Sequence, residues 1–375
     1  SDVFICPYCK NEFVFWDVAV DKEKGKVKEK YNCPHCNAEL TKRICKHATN
    51  TFLDSAIQKE VTMAKQVPVL INYSIGNKRF EKKPDKDDFA LIEKIENMEI
   101  PYWFPANPMM NKGKKWGDTW RFGVHFGITH NHQFYTKRNL WALSAIKSKC
   151  KTSMTIFWFT SGVTRLTKMY KYMPVMRNSK LVDRRTGTVS GTLYIPSMFD
   201  ENNVIKSLER RISNIKSLKS CLSYNSITST LSATNLNIIS NSVDYIFTDP
   251  PFGENLMYSE LNFLWEAWLK VYTNNQQEAI INKIQNKGLD EYTELMMRCF
   301  KEMYRILKPN RWITVKFHNS KASVWNGIQE ALTRAGFIIA QVAVLDKKQG
   351  SLKQVTSAGA VKNDLVINAY KPKKE

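Results

Sequence analysis

The sequence predicts an α/β fold, and three observations predict it. From residue 226 onward, short β-rich runs alternate with amphipathic runs of helical period. One β-rich run, Ser242 to Phe247, stops at Thr248-Asp249-Pro250-Pro251-Phe252-Gly253. At the other end of the chain, two Cys-Pro-x-Cys pairs mark a module of a different kind.

Taken in order, Cys6-Pro7-Tyr8-Cys9 and Cys33-Pro34-His35-Cys36 are separated by 23 residues. Four thiolates so placed satisfy a tetrahedral zinc ion, each knuckle supplying two sulfurs. With Cys6, Cys9, Cys33 and Cys36 as ligands no position stays open, so the expected metal is structural and residues 1–50 are expected to form a zinc ribbon. Phe13–Trp16 and Lys28–Tyr31 read as the arms of a hairpin with a charged tip at Lys24-Gly25-Lys26. Cys45 and His47 lack a paired spacing, and His35 is expected to face solvent.

Residues 51–204 form the second expected segment, a basic, aromatic-rich and largely helical DNA-binding insert. Its first part, 51–100, reads as helical or irregular, with one helix near Glu93–Glu99; Pro101–Pro105 is an extended aromatic stretch. From Lys112 to Arg185 there are 16 Lys/Arg against two acids, Asp118 and Asp183. Basic side chains neutralise phosphates, and aromatics such as Trp116, Trp120, Phe122, Phe126, Phe134 and Tyr135 offer stacking surfaces. Trp141 and Trp158 read instead as core. His125, His130 and His132 have no carboxylate or cysteine at a useful spacing, so they are expected to be solvated or to contact phosphate. Tyr135–Ile146 has helical periodicity and Thr136 as its cap. Met154–Tyr170 reads as a second helix, with a strand as the alternative. Ser179–Gly191 reads as an exposed loop, Thr192–Pro196 as a short strand, and Asn203–Leu218 as an amphipathic helix.

Residues 205–375 are the third segment. Ser226–Leu231 reads as a strand followed by a turn at Ser232-Ala233-Thr234. Next come the strand ending at Asp249 and a helix over Tyr258–Lys270. A helix over Tyr292–Leu307 and a strand over Trp312–Phe317 follow. Trp325–Ala335 reads as a helix closed by Gly336. Phe337–Leu345 and Asp364–Tyr370 read as an antiparallel pair, joined by a loop carrying Lys347, Lys348, Lys353 and Lys362.

The tip of the Ser242–Phe247 strand carries the chemistry. Two prolines end the pairing and hold a carboxylate in a rigid turn, at the end of the strand where ligands bind in open α/β sheets. An exocyclic nucleobase amine is a poor nucleophile because its lone pair is delocalised into the ring. The Asp249 carboxylate and the Pro250 carbonyl, each accepting one N–H, would localise that lone pair, and Phe252 would stack on a base turned out of its helix.

Asp-Pro-Pro-Phe resembles the (Asp/Asn/Ser)-Pro-Pro-(Tyr/Phe) motif of amino-methyltransferases, which methylate N6 of adenine or N4 of cytosine. Three longer strings are similar to the zinc-ribbon-containing group of DNA methylases. They are Ser242–Trp268 with Tyr258-Ser259-Glu260-Leu261, Phe134-Tyr135-Thr136-Lys137-Arg138-Asn139-Leu140, and Gly191-Thr192-Leu193-Tyr194-Ile195-Pro196-Ser197. The resemblance covers most of the chain. It implies a partial Rossmann-like methyltransferase sheet and S-adenosylmethionine as cofactor. It further implies double-stranded DNA as partner and adenine N6 as target, with Asp249, Pro250, Pro251 and Phe252 as the catalytic set. Ser232, Ala233, Thr234 and Asp249 are the candidate cofactor-binding residues.

The glycine loop that such enzymes carry after their first strand is not found. Gly123 and Gly127, Gly187 and Gly191, and Gly350 and Gly359 all lack the strand–loop–helix context. In the family that half precedes the zinc ribbon, and this chain begins at Ser1, close to its first cysteine. A C-terminal portion is therefore expected, or one subunit of a split enzyme, with the sheet open at its cofactor edge.

Composition sets the outer bounds. A 43% hydrophobic content supports real cores, and the formal net charge of +21 points to a polyanionic partner. No apolar run approaches the roughly 20 residues of a membrane span, and no signal peptide is seen, so a cytoplasmic protein with no membrane partner is expected. Eight cysteines, only four of them paired in spacing, fit a reducing compartment. Other readings are a structural Pro-Pro strand end, an RNA guanine-N2 methyltransferase and a non-catalytic nucleic-acid-binding subunit.

Overall fold

The computed structural model describes residues 1–109, 127–178, 180–184, 186–221, 225–254, 256–345 and 364–373. His125, Trp116, Trp120, Phe122, Phe126 and the lysines of the 346–363 loop lie outside them. In chain order the elements begin with β1 (Val3–Ile5), β2 (Glu12–Val14), α1 (Phe15–Ala19), β3 (Val20–Asp21), β4 (Lys26–Val27), β5 (Lys30–Asn32) and β6 (Glu39–Thr41). There follow β7 (Lys46–His47), β8 (Thr49–Asp54), β9 (Lys59–Ala64), β10 (Ile71–Ile75), β11 (Lys78–Lys82) and α2 (Lys86–Asn97). Then come α3 (Lys137–Lys149), α4 (Ser153–Val163), β12 (Pro174–Arg177), β13 (Lys180–Asp183) and α5 (Val204–Cys221). The chain closes with β14 (Val243–Thr248), α6 (Tyr258–Leu269), α7 (Leu289–Ile306), β15 (Leu307–Phe317), α8 (Ala322–Arg334), β16 (Ile338–Leu345) and β17 (Asp364–Tyr370). Two compact units result, one of residues 1–222 with 260–272, the other of 223–259 with 273–375.

The first unit starts with small antiparallel ribbons. The expected hairpin after the first knuckle is present only at its tip, where β3 pairs with β4; a five-residue helix, α1, interrupts the first arm and buries Phe15, Trp16 and Ala19. Residues 51–100 differ from the sequence reading. They hold two hairpins, β8–β9 and β10–β11, before α2. The apolar residues there are sparse and β8 is exposed along most of its length, so neither a helical nor a clean alternating pattern stands out. Tight turns close both hairpins, with Gln58 and Gly76 at positive φ. Asp85 caps α2 in a reciprocal box with Asp88.

The helices α3, α4 and α5 form as expected. Thr136 accepts from the Asn139 amide at 3.3 Å, and Thr152 with Thr155 caps α4, so Met154–Tyr170 is helical at its start rather than a strand. Phe134, Tyr135, Leu140, Leu143, Phe159 and Trp268 share one buried cluster. Phe134 and Tyr135 are thus core rather than stacking surface, and Trp158 packs against the same cluster with its indole N–H on the Leu208 carbonyl at 2.9 Å. Ser179–Gly191 is no simple loop, because β12 and β13 form a hairpin through Asn178, which takes φ 48°. Thr192–Pro196 is irregular rather than a strand.

His132 also departs from expectation. It is buried, and its Nε2 sits 2.8 Å from Asp54 Oδ2, which also accepts from Gln133 at 2.9 Å. Burial alone would raise the Asp54 carboxyl, but these hydrogen bonds outweigh it and hold the group at about 2. A depressed carboxylate stabilises the fold above its unfolded value and loses that stabilisation as pH falls toward its folded one. Thermal melts are therefore expected to decline between about pH 4 and pH 2, and Asp54→Asn to flatten that part of the profile.

The second unit is a four-stranded sheet in the order β14-β15-β17-β16. β14 and β15 are parallel; β15–β17 and β17–β16 are antiparallel. One face is covered by Tyr292, Met296 and Phe300 of α7 and Val324, Ile328 and Leu332 of α8, packed on Ile313, Val315, Phe317, Ile367 and Ala369. These are the alternate positions of β15 and β17, as a half-buried sheet requires. Gly336, at φ 104°, closes α8 where the sequence placed its stop. Among the described residues β14 pairs only with β15, so it is an edge. Ser226–Leu231 forms no strand; it is exposed and irregular despite its β-rich composition.

Candidate active site

β14 carries Asp249 at its C-terminal tip, with the side chain 46% exposed. Pro250 is buried and Phe252 half-buried. The turn is tied down carbonyl by carbonyl. Tyr292 Oη of α7 donates to the Pro251 carbonyl at 2.7 Å, and Asn319 Nδ2 donates to that of Phe252 at 2.8 Å. The Ile281 amide donates to the Gly253 carbonyl at 3.2 Å. Among the described residues the Pro250 carbonyl accepts nothing. The carbonyls of Pro251, Phe252 and Gly253 are thus tied down, and the Asp249 carboxylate stands half exposed beside them.

The Phe252 ring meets Phe317 edge-on at 5.5 Å and His318 at 6.1 Å between centroids. Lys316 Nζ lies 3.2 Å from Asp249 Oδ2 and 6.0 Å from the Phe252 centroid. Burial raises the Tyr258 phenol, and the negative charges of Asp249 and Glu278 raise it further, so it remains a protonated donor beside the motif. Ser259 anchors the start of α6, its amide and hydroxyl both donating to Glu278, at 3.0 and 2.6 Å.

Gly253 takes φ 69°, and a Cβ there would lie 3.1 Å from Val324 Cγ1 and 3.2 Å from Asn319 Nδ2. Gly253→Ala is expected to cost about 1–3 kcal/mol, from left-handed strain and crowding together. A denaturant midpoint shift with unchanged slope would measure it; an unshifted midpoint would refute it.

Ser232, Ala233 and Thr234 occupy a turn in which the Ser232 and Thr234 hydroxyls meet at 2.8 Å. The chain just after it is fastened to the C-terminal turns of α7, with the Leu236 amide on Glu302 and its carbonyl on Arg305. That is the end of the sheet where β14 begins, since Ser242 N bonds the Ile306 carbonyl. No hydrogen bond or ion pair among the described residues joins Ser232–Thr234 to Asp249. The fold brings together Asp249, Pro250, Pro251 and Phe252, and not the turn.

Tyr292, Asn319, Lys316 and Tyr258 were not singled out as site residues in the sequence. Only Tyr258 had a signal, its place in the string after the motif.

The second constellation is the cysteine cluster. The Sγ atoms of Cys6, Cys9, Cys33 and Cys36 all lie within 4.8 Å of one another, with Cys6–Cys36 at 3.8 Å and Cys9–Cys33 at 3.7 Å. A tetrahedral ion bound at about 2.3 Å has sulfur–sulfur edges of about 3.8 Å, so the set fits a metal. The two knuckles match in detail. Lys10 N bonds the Cys6 carbonyl and Asn37 N that of Cys33, both at 3.0 Å, and Lys10 and Asn37 both have positive φ. Cys45 is buried elsewhere in the same core, His47 pairs with Asp2 at 3.1 Å, and exposed His35 contacts the Glu12 carbonyl.

No curated protein matches the chain. Among solved structures, a putative DNA modification methylase from Thermus thermophilus is similar at 15% identity, over 37% of this chain and 48% of its own, with TM-score 0.22. The same protein complexed with S-adenosyl-L-methionine matches at 15%, over 37% and 49%, with TM-score 0.22. A SAM-dependent methyltransferase from Methanosarcina mazei matches at 11%, over 43% and 77%, with TM-score 0.24. The chain spans about half the length of the first of these. No helix among the described residues is long and apolar enough to cross a membrane. The family model described as DNA methylase matches residues 243–375, the segment that holds the Asp249 motif and its sheet.

Proposed function

We propose that this chain is the base-binding part of an S-adenosylmethionine-dependent DNA methyltransferase that modifies N6 of adenine in a base turned out of the duplex. The observation that carries the reading is the moored turn at Asp249, with Asp249 and the Pro250 carbonyl left as its acceptors. An adenine amine has two N–H groups, and two fixed acceptors fit it. Held this way, the nitrogen lone pair is directed away from the ring plane. Bound S-adenosylmethionine would supply an electrophilic methyl. The chain's own task is to orient and activate the amine, and preorganised partners are the largest source of such activation.

The sequence shows no glycine loop for the cofactor, and among the described residues no hydrogen bond or ion pair joins Ser232–Thr234 to Asp249. The reading therefore includes a further segment or subunit that packs beside the β14 edge and completes a Rossmann-like sheet. A β14 edge with no neighbouring strand on its outer side among the described residues supports that inclusion. Double-stranded DNA as partner is supported by the +21 charge. Zinc in a ribbon at Cys6, Cys9, Cys33 and Cys36 is supported by the tetrahedral fit of their sulfurs.

The test is transfer of tritiated methyl to duplex DNA and to tRNA, with the complete assembly. Label is expected in N6-methyladenine of DNA. Label confined to guanine of tRNA would overturn the reading. DNA binding is expected to weaken steeply between 50 and 200 mM salt, by roughly 10³-fold or more for six or more phosphate contacts.

A further inference from the structure

The Asp249 side chain is gripped from behind by a group that the motif does not contain. Side chains alternate along a strand, so every second residue shares a face. On the face of the second unit opposite α7 and α8, β14 presents Tyr245 and Phe247 and then Asp249. The neighbouring β15 presents Trp312, Thr314 and Lys316, and β17 presents Asp364, Val366 and Asn368. Tyr245 Oη meets Thr314 Oγ1 at 2.7 Å, and Thr314 Oγ1 donates to Asn368 Oδ1 at 2.8 Å, which fixes this row across three strands.

One row higher stand charged groups. Lys316 Nζ lies between Asp249 Oδ2 at 3.2 Å and Asp364 Oδ2 at 3.4 Å, and Asp364 Oδ1 is 2.9 Å from His318 Nδ1. Asp364 is fully buried, whereas Asp249 is half exposed. A buried carboxylate is retained only when it is paired. Burial works to lower the Lys316 ammonium, and the two carboxylates outweigh it and raise it, so it stays charged. Lys316 is also the only one of the four that reaches both strands flanking β15.

We propose that Lys316 is a positioning residue for Asp249, held in place by the buried Asp364 and His318. It occupies Oδ2 and thereby leaves Oδ1 as the oxygen directed at the substrate amine. Asp364 shares the ammonium, which keeps Lys316 from following Asp249 outward or neutralising it alone. This rests on the methyl-transfer reading for its purpose, but the bridge itself is a property of the chain.

Two measurements test it. With 15N-lysine labelling of the full chain, the Lys316 ammonium, assigned by its loss in Lys316→Met, is expected to exchange slowly with water. It is expected to shift in both Asp249→Asn and Asp364→Asn. A signal averaged like a surface lysine, or one insensitive to either carboxylate, overturns the bridge. In the complete assembly, Lys316→Met and Asp364→Asn are each expected to lower kcat about 10- to 100-fold, the scale of a slightly misplaced group. The KM for S-adenosylmethionine is expected to stay unchanged, and Lys316→Arg to recover part of the loss. If Lys316→Met fails to fold, Lys316→Arg and Asp364→Asn carry the test. Near-normal kcat in the folded variants overturns the positioning role. If the wild type methylates no substrate, the proposed function falls, and the ammonium signal still decides the bridge.

Discussion

Asp249→Ala is expected to lower methyl transfer about 10²- to 10³-fold while leaving DNA affinity within a few-fold of wild type. The side chain is 46% exposed and takes no part in the buried clusters, so its removal leaves the fold intact. What it removes is one of two fixed acceptors. Loss of one preorganised hydrogen-bond partner costs about 10²–10³ in kcat in other enzymes. In the proposed complex basic side chains neutralise phosphates and supply most of the affinity, and a carboxylate contributes none of that attraction. Filter binding and single-turnover methylation, run on the same preparation, separate the two effects. Near-normal transfer by the variant would sink the proposed chemistry. Transfer lost together with all DNA binding would show instead that Asp249 serves structure.

Cys33→Ser is expected to release about one zinc per chain and to loosen the N-terminal ribbons. Cys33 is buried beside Phe4, Phe13, Phe15, Trp16 and Tyr31 in a small aromatic core. The ribbons around that core are two or three residues long, too short to hold themselves. Structural zinc contributes roughly 10–16 kcal/mol of apparent binding free energy in small modules, most of it folding free energy. The sheet of β14, β15, β16 and β17 belongs to the other unit with its own core, and its stability is expected to change little. Elemental analysis and amide exchange read out both halves of the prediction. A native protein without metal would overturn the ribbon.

What was legible in the sequence divides along physical lines. The strand into Asp249 was readable because a β-branched and aromatic run ends on two residues, one after the other, that cannot donate to a ladder. The knuckles were readable because two Cys-Pro-x-Cys pairs repeat one spacing, and the structure brings their four sulfurs together. The helices α3, α7 and α8 were readable from period and caps. The β8–β9 and β10–β11 hairpins were not, because neither has a face buried enough to impress alternation on its residues. Ser226–Leu231 misled in the opposite direction, since β-rich composition without a neighbouring strand does not make one. His132 was misplaced because its partner Asp54 is 78 residues away. Lys316 and Asp364 were invisible for a similar reason: their meeting depends on the register of two strands far apart in sequence.

The three carbonyl moorings of the turn have one more consequence. Pro251, Phe252 and Gly253 are each held by a different part of the unit, through Tyr292, Asn319 and Ile281. A loop anchored at one point frays on its own, but a loop anchored at three separate places opens only when the elements supplying those anchors separate. The turn is therefore expected to open with its unit rather than on its own, and its shaped acceptor pair to be lost in the same step. Along a denaturation curve, chemistry and cooperative structure would disappear together, and the entropy of arranging the turn is met once, when the chain folds, rather than at each turnover.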